Sequence, residues 1–293
     1  MTLSPADLSR RALLLGALAA PPARAESVRV WLPQHMSTAD PQLPYVRRLI
    51  QLALERAGVN RDVQLVSLEM YQSRSLMELA RGNSAIDVMW TMTDRERESS
   101  GVLPIRIPID RGLMGWRVLL VRRADLPRWA GVSSLDELRQ RVAGQGHDWP
   151  DTAILRANGL QVSTSSGYEA LFRMLASGRF DYFPRAVFEV DAELAGNRRP
   201  ELAIVPNLML HYPAAAYLFV SPRRPELAEL LRVGLEKAVA DGGLQQLHHE
   251  HFGALIKAHP VSRERVLKLH NPLLPPQTPL QRRELWLQPG EPG

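Results

Sequence analysis

Residues 79–97, LARGNSAIDVMWTMTDRER, are the stretch that decides the fold of this chain. Gly82 ends a helical period, residues 86–90 follow as a strand, and hydroxyl, acidic and basic side chains begin at Thr91. In an α/β domain the residues just past the carboxyl end of a strand face a crevice where ligands bind. Threonine hydroxyls and arginine guanidinium groups suit a carboxylate. The stretch therefore predicts one edge of a ligand-binding cleft.

The residues on either side of this stretch alternate between strand and helix patterns. In chain order the first half contains a strand at 28–32, a helix over 45–53, a strand at 63–68, a helix over 76–80 and strands at 86–90 and 117–121. The order β-α-β-α-β predicts a parallel sheet. We place a lobe boundary after the last of these strands.

The second half repeats the alternation. Ser134 and Glu137 form a capping box for a helix over 135–142. The elements that follow are helices over 152–157 and 167–175, a strand at 180–183, a helix over 187–194, strands at 202–205 and 214–220, and helices over 226–240 and 244–251. Residues 163–166, STSS, are interpreted as a helix cap. Prolines recur from Pro272 onward and exclude regular structure, so the tail should lie extended along a lobe or hang free.

The amino terminus has the pattern of a secretory signal peptide. Arg10 and Arg11 precede the apolar run 12–20, and Ala23 and Ala25 supply small side chains for cleavage. The apolar run is too short to cross a bilayer of ~30 Å. We predict a signal peptide at 1–25 and a mature chain from Glu26, exported by the general or the twin-arginine route.

Composition indicates the cellular compartment and argues against one class of partner. The chain has no cysteine, so it has neither a disulfide framework nor a lipidated cysteine, which favours a free protein in a Gram-negative periplasm. The net charge of +5 is spread along the chain, and no nucleic-acid-binding motif accompanies it. We therefore expect no nucleic-acid partner.

Residues 28–252 resemble the family 3 periplasmic solute-binding proteins, which deliver amino acids and similar solutes to ABC transporters. The motifs that carry the resemblance are LARG at 79–82 with IDV at 86–88 ahead of 91–97, SLDEL at 134–138, ASGRFD at 176–181 and ADGGL at 240–244. Together they are fairly specific, whereas each alone is common.

The resemblance implies a two-lobe α/β fold of type II-like organisation, with two hinge crossings near 121–125 and 211–216 and a ligand cleft between the lobes. Lobe 1 would comprise 26–122 and 215–260, lobe 2 would comprise 123–214, and 261–293 would form the proline-rich tail. It also implies a monomer that delivers its solute to an inner-membrane permease. A solute-sensing protein that feeds a signalling partner is the alternative.

In that family the segment that matches 91–97 binds the α-carboxylate of the ligand. Carried over, the resemblance assigns Thr91, Thr93 and Arg97 to the carboxylate, with Arg95 as the alternative arginine. The competing interpretation is a solvated run of charge at the amino end of a helix.

Two tryptophans are candidates for the wall of the cleft. Trp90 follows a strand and either stacks on the solute or packs in the core. Trp149 lies in the glycine-containing segment 144–151, which leads into a helix whose amino end would attract anions. A plain turn is the competing interpretation of that segment.

The segment after Asp181 departs from the family. Amino-acid binders usually place an aspartate where this chain has Ala186, beside Arg185, so an ordinary amino acid is in doubt. If Arg185 faces the cleft, the solute would carry two acidic groups, whereas Glu189 reaching in would keep an amine possible. Alternatively, Arg185 pairs with Glu189 one helical turn away and never contacts solute.

No motif in the chain indicates catalysis, a cofactor or a metal. There is no Gly-x-Ser-x-Gly, no Ser-x-x-Lys and no phosphate loop. The cluster HHEH at 248–251 lacks the spacing that places two imidazoles on one helix face. We predict a binding protein without cofactor or metal; a periplasmic dehydratase-like enzyme, the less favoured alternative, would have only Glu189 and His147 as an acid/base pair.

Overall fold

The structure is a computed structural model that describes residues 27–32, 42–68, 70–196, 199–260 and 265–288. The predicted signal peptide and the expected first mature residue, Glu26, lie outside the described residues. Among the helices that are described, none combines the length and the apolar character needed to cross a bilayer.

The first lobe is built on a five-stranded sheet in the order β2-β1-β3-β10-β4. Its strands are β1 (Val28–Leu32), β2 (Val63–Ser67), β3 (Val88–Met92), β4 (Leu103–Ile105) and β10 (Ala216–Val220). Strand β1 pairs in parallel with β2 and β3, as predicted, and β10 returns antiparallel between β3 and β4. The carboxyl ends of β1 and β3 thus meet at one edge.

Helices cover this sheet and bury its apolar side chains. They are α1 (Gln42–Arg56), α2 (Gln72–Ala80), α3 (Arg95–Ser99), α8 (Pro225–Ala240) and α9 (Gly243–Ala258). Helices α1 and α8 pack backbone to backbone, since a Cβ on Gly234 would lie 1.7 Å from the carbonyl oxygen of Ala53. The predicted return of the last two long helices onto the first lobe is confirmed.

The second lobe contains a four-stranded sheet in the order β11-β9-β5-β8 and a parallel pair, β6-β7. The strands are β5 (Trp116–Arg122), β6 (Val142–Gly146), β7 (Gln161–Ser165), β8 (Phe183–Ala186), β9 (Leu202–His211) and β11 (Arg265–Lys268). A bridge between Ala143 and Tyr182 links the pair to the sheet. The helices are α4 (Leu135–Arg139), α5 (Pro150–Ala157), α6 (Tyr168–Ala176) and α7 (Val190–Gly196).

Strand β5 corrects the position of the first crossing. It pairs with β8 and β9, so the strand predicted at the end of lobe 1 belongs to the second sheet. The chain therefore crosses between the lobes at residues 106–115 and not at 121–125. The second crossing lies between β9 and β10, within the predicted segment 211–216. An apolar strand buried on both faces does not specify in its own residues which sheet it joins.

Several predicted element bounds are also wrong. Strand β3 starts at Val88, two residues later than predicted. The Asp87 carboxylate just before it accepts from the amide and the guanidinium of Arg29. Helix α4 ends at Arg139. Strand β6 takes up the last residue of the predicted helix and the start of the glycine-containing segment 144–151, and β7 takes up most of the predicted cap at 163–166. Gly144 permits this pairing, since a Cβ there would lie 2.1 Å from the Phe180 ring. The predicted strand 180–183 and helix 187–194 likewise begin three residues later.

The tail is more ordered than its prolines predict. Strand β11 extends the second sheet in parallel with β9, and a short 3₁₀ turn occupies Arg283–Leu285. Contacts then tie the tail to both crossings: Asn271 to the carbonyl of Pro213 at 2.8 Å, and the Leu287 amide to the carbonyl of Arg111 at 2.7 Å. Proline excludes long elements but does not prevent an extended chain from packing.

Candidate functional site

An inner cavity of about 70 Å³ lies between the lobes at the carboxyl ends of β1 and β3. Both lobes contribute walls, and most of the charged ones come from the second lobe. The side chains used below are Trp31, Gln72, Trp90 and Thr91 from lobe 1, and Arg117, Trp149, Asp151, Arg185 and Glu189 from lobe 2. Five of the predicted residues thus meet here, namely Trp90, Thr91, Trp149, Arg185 and Glu189.

Arg97 lies behind the cavity wall and is fully engaged. Its guanidinium contacts Thr91 Oγ1 at 2.7 Å, the Met92 carbonyl at 2.9 Å, Gln72 Oε1 at 2.8 Å, the Asp148 carbonyl at 3.3 Å and the Asp94 carboxylate at 3.1 Å. Burial lowers the pKa of Arg97, although Asp94 opposes that shift. In this arrangement Arg97 positions Thr91 and Gln72, both of which line the cavity.

The neighbours of Arg97 point away from the cavity. Asp94 caps α3 by accepting the Arg97 amide at 2.7 Å. Thr93 donates to the Glu98 carboxylate at 2.7 Å, and the Arg95 side chain is exposed. Of the four predicted carboxylate-binding residues, only Thr91 lines the inner cavity, and the others form a helix amino end.

Arg185 faces the cavity and also pairs with Glu189, which the sequence left as alternatives. Its guanidinium pairs with Glu189 at 2.9 Å and with Glu193 at 2.6 Å, and it also lines the cavity. The cation lies 5.0 Å from the ring centres of Trp149 and Phe183. Burial alone would lower the pKa of Arg185, but the two carboxylates raise it well above its ordinary value. The arginine is therefore a permanent cation in the wall.

Arg117 is one of the site residues that sequence reasoning missed, together with Trp31, Gln72 and Asp151. It contacts Asp151 at 2.6 Å and the Tyr212 hydroxyl at 3.0 Å, and Tyr212 bonds to Asp151 in turn. Nη1 of Arg117 lies 3.6 Å from Glu189. Burial would lower its pKa, but Asp151 and the other partners raise it. The available signal was a single cation at the start of the apolar run 116–121.

Glu189 and His147 do not form a pair. Glu189 lines the inner cavity, where burial raises its pKa against the opposing charge of Arg185. His147 is half exposed and lines a separate groove of about 710 Å³. The only acid/base pair that the sequence offered is therefore not assembled.

Two indole N–H groups at the cavity wall have no acceptor among the described residues, and two guanidinium groups lie beside them. The indole Nε1 atoms of Trp31 and Trp90 are buried without a partner. Arg185 bonds to its carboxylates through Nε and Nη2. Arg117 uses Nε and Nη2, and its Nη1 has only the long contact to Glu189. The cavity is thus rich in donors.

The fold has known counterparts among solved structures. An ancestral arginine-binding protein bound to arginine is 17% identical, with 78% of this chain and 99% of that chain covered and a TM-score of 0.56. The VFT2 domain of BvgS from Bordetella pertussis is 20% identical; the match covers 78% of this chain and 94% of that domain, with a TM-score of 0.57. A histidine kinase sensor domain similar to periplasmic binding proteins is 17% identical; the match covers 78% of this chain and 97% of that domain, with a TM-score of 0.55. These likenesses confirm the predicted α/β, two-lobe periplasmic-binding-protein fold.

Sequence comparison adds little to this assignment. No family model matches the chain. The bifunctional glutamine synthetase adenylyltransferase/adenylyl-removing enzyme of Bordetella pertussis is 28% identical over 163 residues, which cover 55% of this chain and 16% of the enzyme. The match thus spans about one sixth of that enzyme's length and shows no shared family. Of the solved structures named above, one is described as an arginine-binding protein and one as a histidine kinase sensor domain.

Proposed function

We propose that this protein binds a small, polar, carboxylate-bearing solute in the cleft between its lobes, outside the cytoplasm. The observation that carries the proposal is the convergence of N–H groups on the inner cavity: the buried Trp90 Nε1 of lobe 1, which has no acceptor among the described residues, and the guanidinium groups of Arg117 and Arg185 of lobe 2. A buried donor without a partner costs about 1–3 kcal/mol. A carboxylate offers about four lone-pair sites, enough to satisfy all three donors.

The same cavity limits the rest of the solute. Each arginine keeps a carboxylate partner, so the bound anion meets guanidinium groups that are held in place and do not need to reorganise. Glu189 lies at the same wall and would face an amine on the solute. Trp90, Trp149 and Gln72 supply the apolar and amide surfaces that set its orientation.

Binding of this kind couples to closure. The donors come from both lobes, so a solute that contacts Trp90 and Arg117 together bridges the cleft and stabilises the closed form over the open one. That closed form is what an inner-membrane permease would recognise in a periplasmic delivery system. The predicted signal peptide and the absence of cysteine support the periplasmic location.

A sensing role is the second candidate. Its support is that one of the solved structures with this fold is described as a histidine kinase sensor domain. Solute uptake by cells that lack this protein separates the two roles: loss of uptake supports delivery, and normal uptake with a lost transcriptional response supports sensing.

Thermal unfolding of residues 26–293 against amino acids, mono- and dicarboxylates, polyamines and sugars tests the binding role. A ligand at 100 times its Kd adds about 2.7 kcal/mol to the unfolding free energy, which a thermal shift detects. We expect shifts with carboxylates, and weaker shifts in Trp90→Phe, which removes the N–H and keeps the ring. Trp129→Phe, at a buried tryptophan distant from the cavity, is the matched control. The absence of any carboxylate-induced shift would sink the proposal.

A further inference from the structure

Resting on the proposed function, we propose that the solute is a small hydroxy or keto acid without an amine, and that it binds together with one proton on Glu189. Two features of the inner cavity carry this assignment. One is the balance of charge around Glu189 in lobe 2, and the other is the pair of indole N–H groups on the wall of lobe 1.

Three carboxylates share two guanidinium groups at the lobe 2 wall of the cavity. Arg117 pairs with Asp151 at 2.6 Å, and Arg185 pairs with Glu193 at 2.6 Å. Glu189 is the third carboxylate, and its contacts with the same cations are longer, 2.9 Å to Arg185 and 3.6 Å to Arg117. Each arginine thus has a closer partner than Glu189. An ionised Glu189 therefore carries a negative charge that this cluster does not balance.

The opposite wall does not balance that charge either. Among the described residues, lobe 1 lines the cavity only with uncharged side chains, namely Trp31, Gln42, Gln72, Trp90, Thr91 and Met92. Arg97 of lobe 1 lies behind this wall and is paired with Asp94 at 3.1 Å. Neutralisation of Glu189 must therefore come from a proton or from the solute.

Glu189 is the carboxylate of the cluster that is free to take a proton. Asp151 and Glu193 each accept a tyrosine hydroxyl in addition to a guanidinium, from Tyr212 and Tyr168 respectively. The three closest contacts of Glu189, by contrast, all reach one oxygen, Oε2. Its Oε1 can take up a proton without displacing any of these partners.

A bound carboxylate makes this proton necessary. The solute would place a second negative charge in the cavity that Glu189 lines, and like charges in one buried site raise the pKa of one of the two groups. Burial already raises the pKa of Glu189, although Arg185 opposes that rise. Once protonated, Glu189 is a hydrogen-bond donor to the solute carboxylate instead of a repelling charge.

The lobe 1 wall argues against an amine on the solute. Trp31 and Trp90 line the cavity and are 2% and 5% exposed, and their indole Nε1 atoms have no acceptor among the described residues. An ammonium offers only donors, whereas hydroxyl and carbonyl oxygens accept. Glu189 could accept from an amine, but the two indoles could not. A hydroxy or keto acid satisfies them and removes the cost of buried, unpaired N–H groups.

Glycolate and glycine are the matched probes, because they share one carbon frame and carboxylate and differ by a hydroxyl against an ammonium. In calorimetric titration of residues 26–293 at pH 6 we expect glycolate to bind at least tenfold more tightly than glycine. The affinity for glycolate should then fall at least tenfold between pH 6 and 8.5, because the complex holds a proton that becomes scarcer. Glycolate itself stays ionised over this range.

Glu189→Gln fixes the uncharged form of the side chain at every pH. The variant should bind glycolate with an affinity that does not depend on pH, and at pH 8.5 it should bind more tightly than the wild type, which a merely damaged site cannot do. Glu250→Gln, at an exposed glutamate of α9 outside the cavity, should keep the wild-type pH dependence. A histidine that titrates elsewhere would act equally in all three proteins.

The outcomes separate this inference from the function on which it rests. Tighter binding of glycine than of glycolate, or a glycolate affinity that is the same at pH 6 and 8.5, overturns the inference in the wild type alone and leaves a carboxylate-binding cleft. So does a pH dependence that survives Glu189→Gln, or a loss of glycolate binding in that variant. Binding of neither probe also overturns it, and only the failure of every carboxylate in thermal unfolding overturns the proposed function as well.

Discussion

The hydroxyl of Ser73 donates to the carboxylate of Asp148 at 3.1 Å, which joins the first turn of α2 in one lobe to the residue two positions before α5 in the other. Arg97 adds a bond to the Asp148 carbonyl at 3.3 Å. No side chain of the segment before α2 caps that helix, so the carboxylate of the opposite lobe supplies the anion that a helix amino end favours. This clasp lies at the cleft and joins the two lobes directly.

Replacing Asp148 with alanine should open the cleft. Loss of a hydrogen bond to a charged group removes about 1.5–3 kcal/mol from the closed state, so solute affinity should fall about tenfold or more. Small-angle scattering of the free protein should show a larger radius of gyration. Asp136→Ala removes an exposed carboxylate from the same lobe and should leave both values unchanged. An unchanged scattering curve for Asp148→Ala would contradict the clasp.

Arg117→Met should strongly destabilise the second lobe. The substitution leaves Asp151 buried beside Tyr212 without its cation, and removal of one partner from a buried pair costs about 3–5 kcal/mol. Urea unfolding followed by circular dichroism measures the difference. Arg232→Met breaks an exposed pair with Glu229 and should leave the midpoint nearly unchanged. Equal midpoints for the two variants would show that Arg117 is not a structural centre.

The tail should couple energetically to the first crossing. Gly112 has φ +76°, and a Cβ there would lie 2.5 Å from the Trp286 ring. Gly58 has nearly the same φ, +79°, with nothing within 4 Å of an added Cβ, so Gly58→Ala reports the backbone cost alone, about 1–2 kcal/mol. Gly112→Ala should cost more than Gly58→Ala, and the excess should vanish in the Gly112→Ala/Trp286→Ala double variant. An excess that persists in the double variant would place the clash elsewhere.

Stability should fall on the acid side because His248 is buried as a neutral ring. Burial first, and then Arg111, lower its pKa from 6.5 to about 3, while its hydrogen bond to the Asp110 carbonyl opposes the shift. The unfolded chain therefore binds more protons between those pH values, and the free energy of unfolding falls as the pH drops below 6.5. Between pH 6.5 and 4.5 the loss from this group is roughly 2–3 kcal/mol.

His248→Gln should reduce the loss of unfolding free energy at acid pH. His249→Gln, at the exposed neighbouring histidine, should not. Two other groups act over the same range in both variants. Burial lowers the pKa of His211 to about 4, which adds to the loss at low pH. Burial raises the pKa of Asp110 to about 6, which opposes that loss, because the folded state then binds the extra proton. Urea midpoints at pH 7.5 and 5 measure the change in stability with pH. An identical change in the wild type and in His248→Gln would refute the role given to His248.

Local pattern was enough for the parallel strands of the first sheet and for one edge of the site. The alternation in β1 and β2 and the position of Trp90 and Thr91 at a strand end follow from periods of two and 3.6 residues, which neighbouring residues set by themselves. The pairing of Arg185 with Glu189 was also an open alternative, because the two residues are four apart. Each of these features depends on short separations along the chain.

The remaining site residues depend on long separations. Trp31 and Gln72 reach the inner cavity only because β1 and α2 lie beside β3 in the folded lobe, and Arg117 reaches it only because β5 joins the second sheet. A lone arginine in an apolar strand does not state its partners, and Asp151 and Tyr212 are 34 and 95 residues away.

The sequence by itself determined the alternating α/β elements and the residue types at the cleft edge, because hydrophobic period, capping and turn residues act locally. The two-lobe architecture was implied by the resemblance to the family 3 solute-binding proteins. Only the tertiary structure decided where the first crossing lies and how the tail packs. It also decided that Arg117 and Arg185 line the cavity, whereas Arg97 is bonded behind its wall. Strand pairing and charge pairing between distant segments are settled by burial, since a buried cation must find its carboxylate wherever the fold brings one.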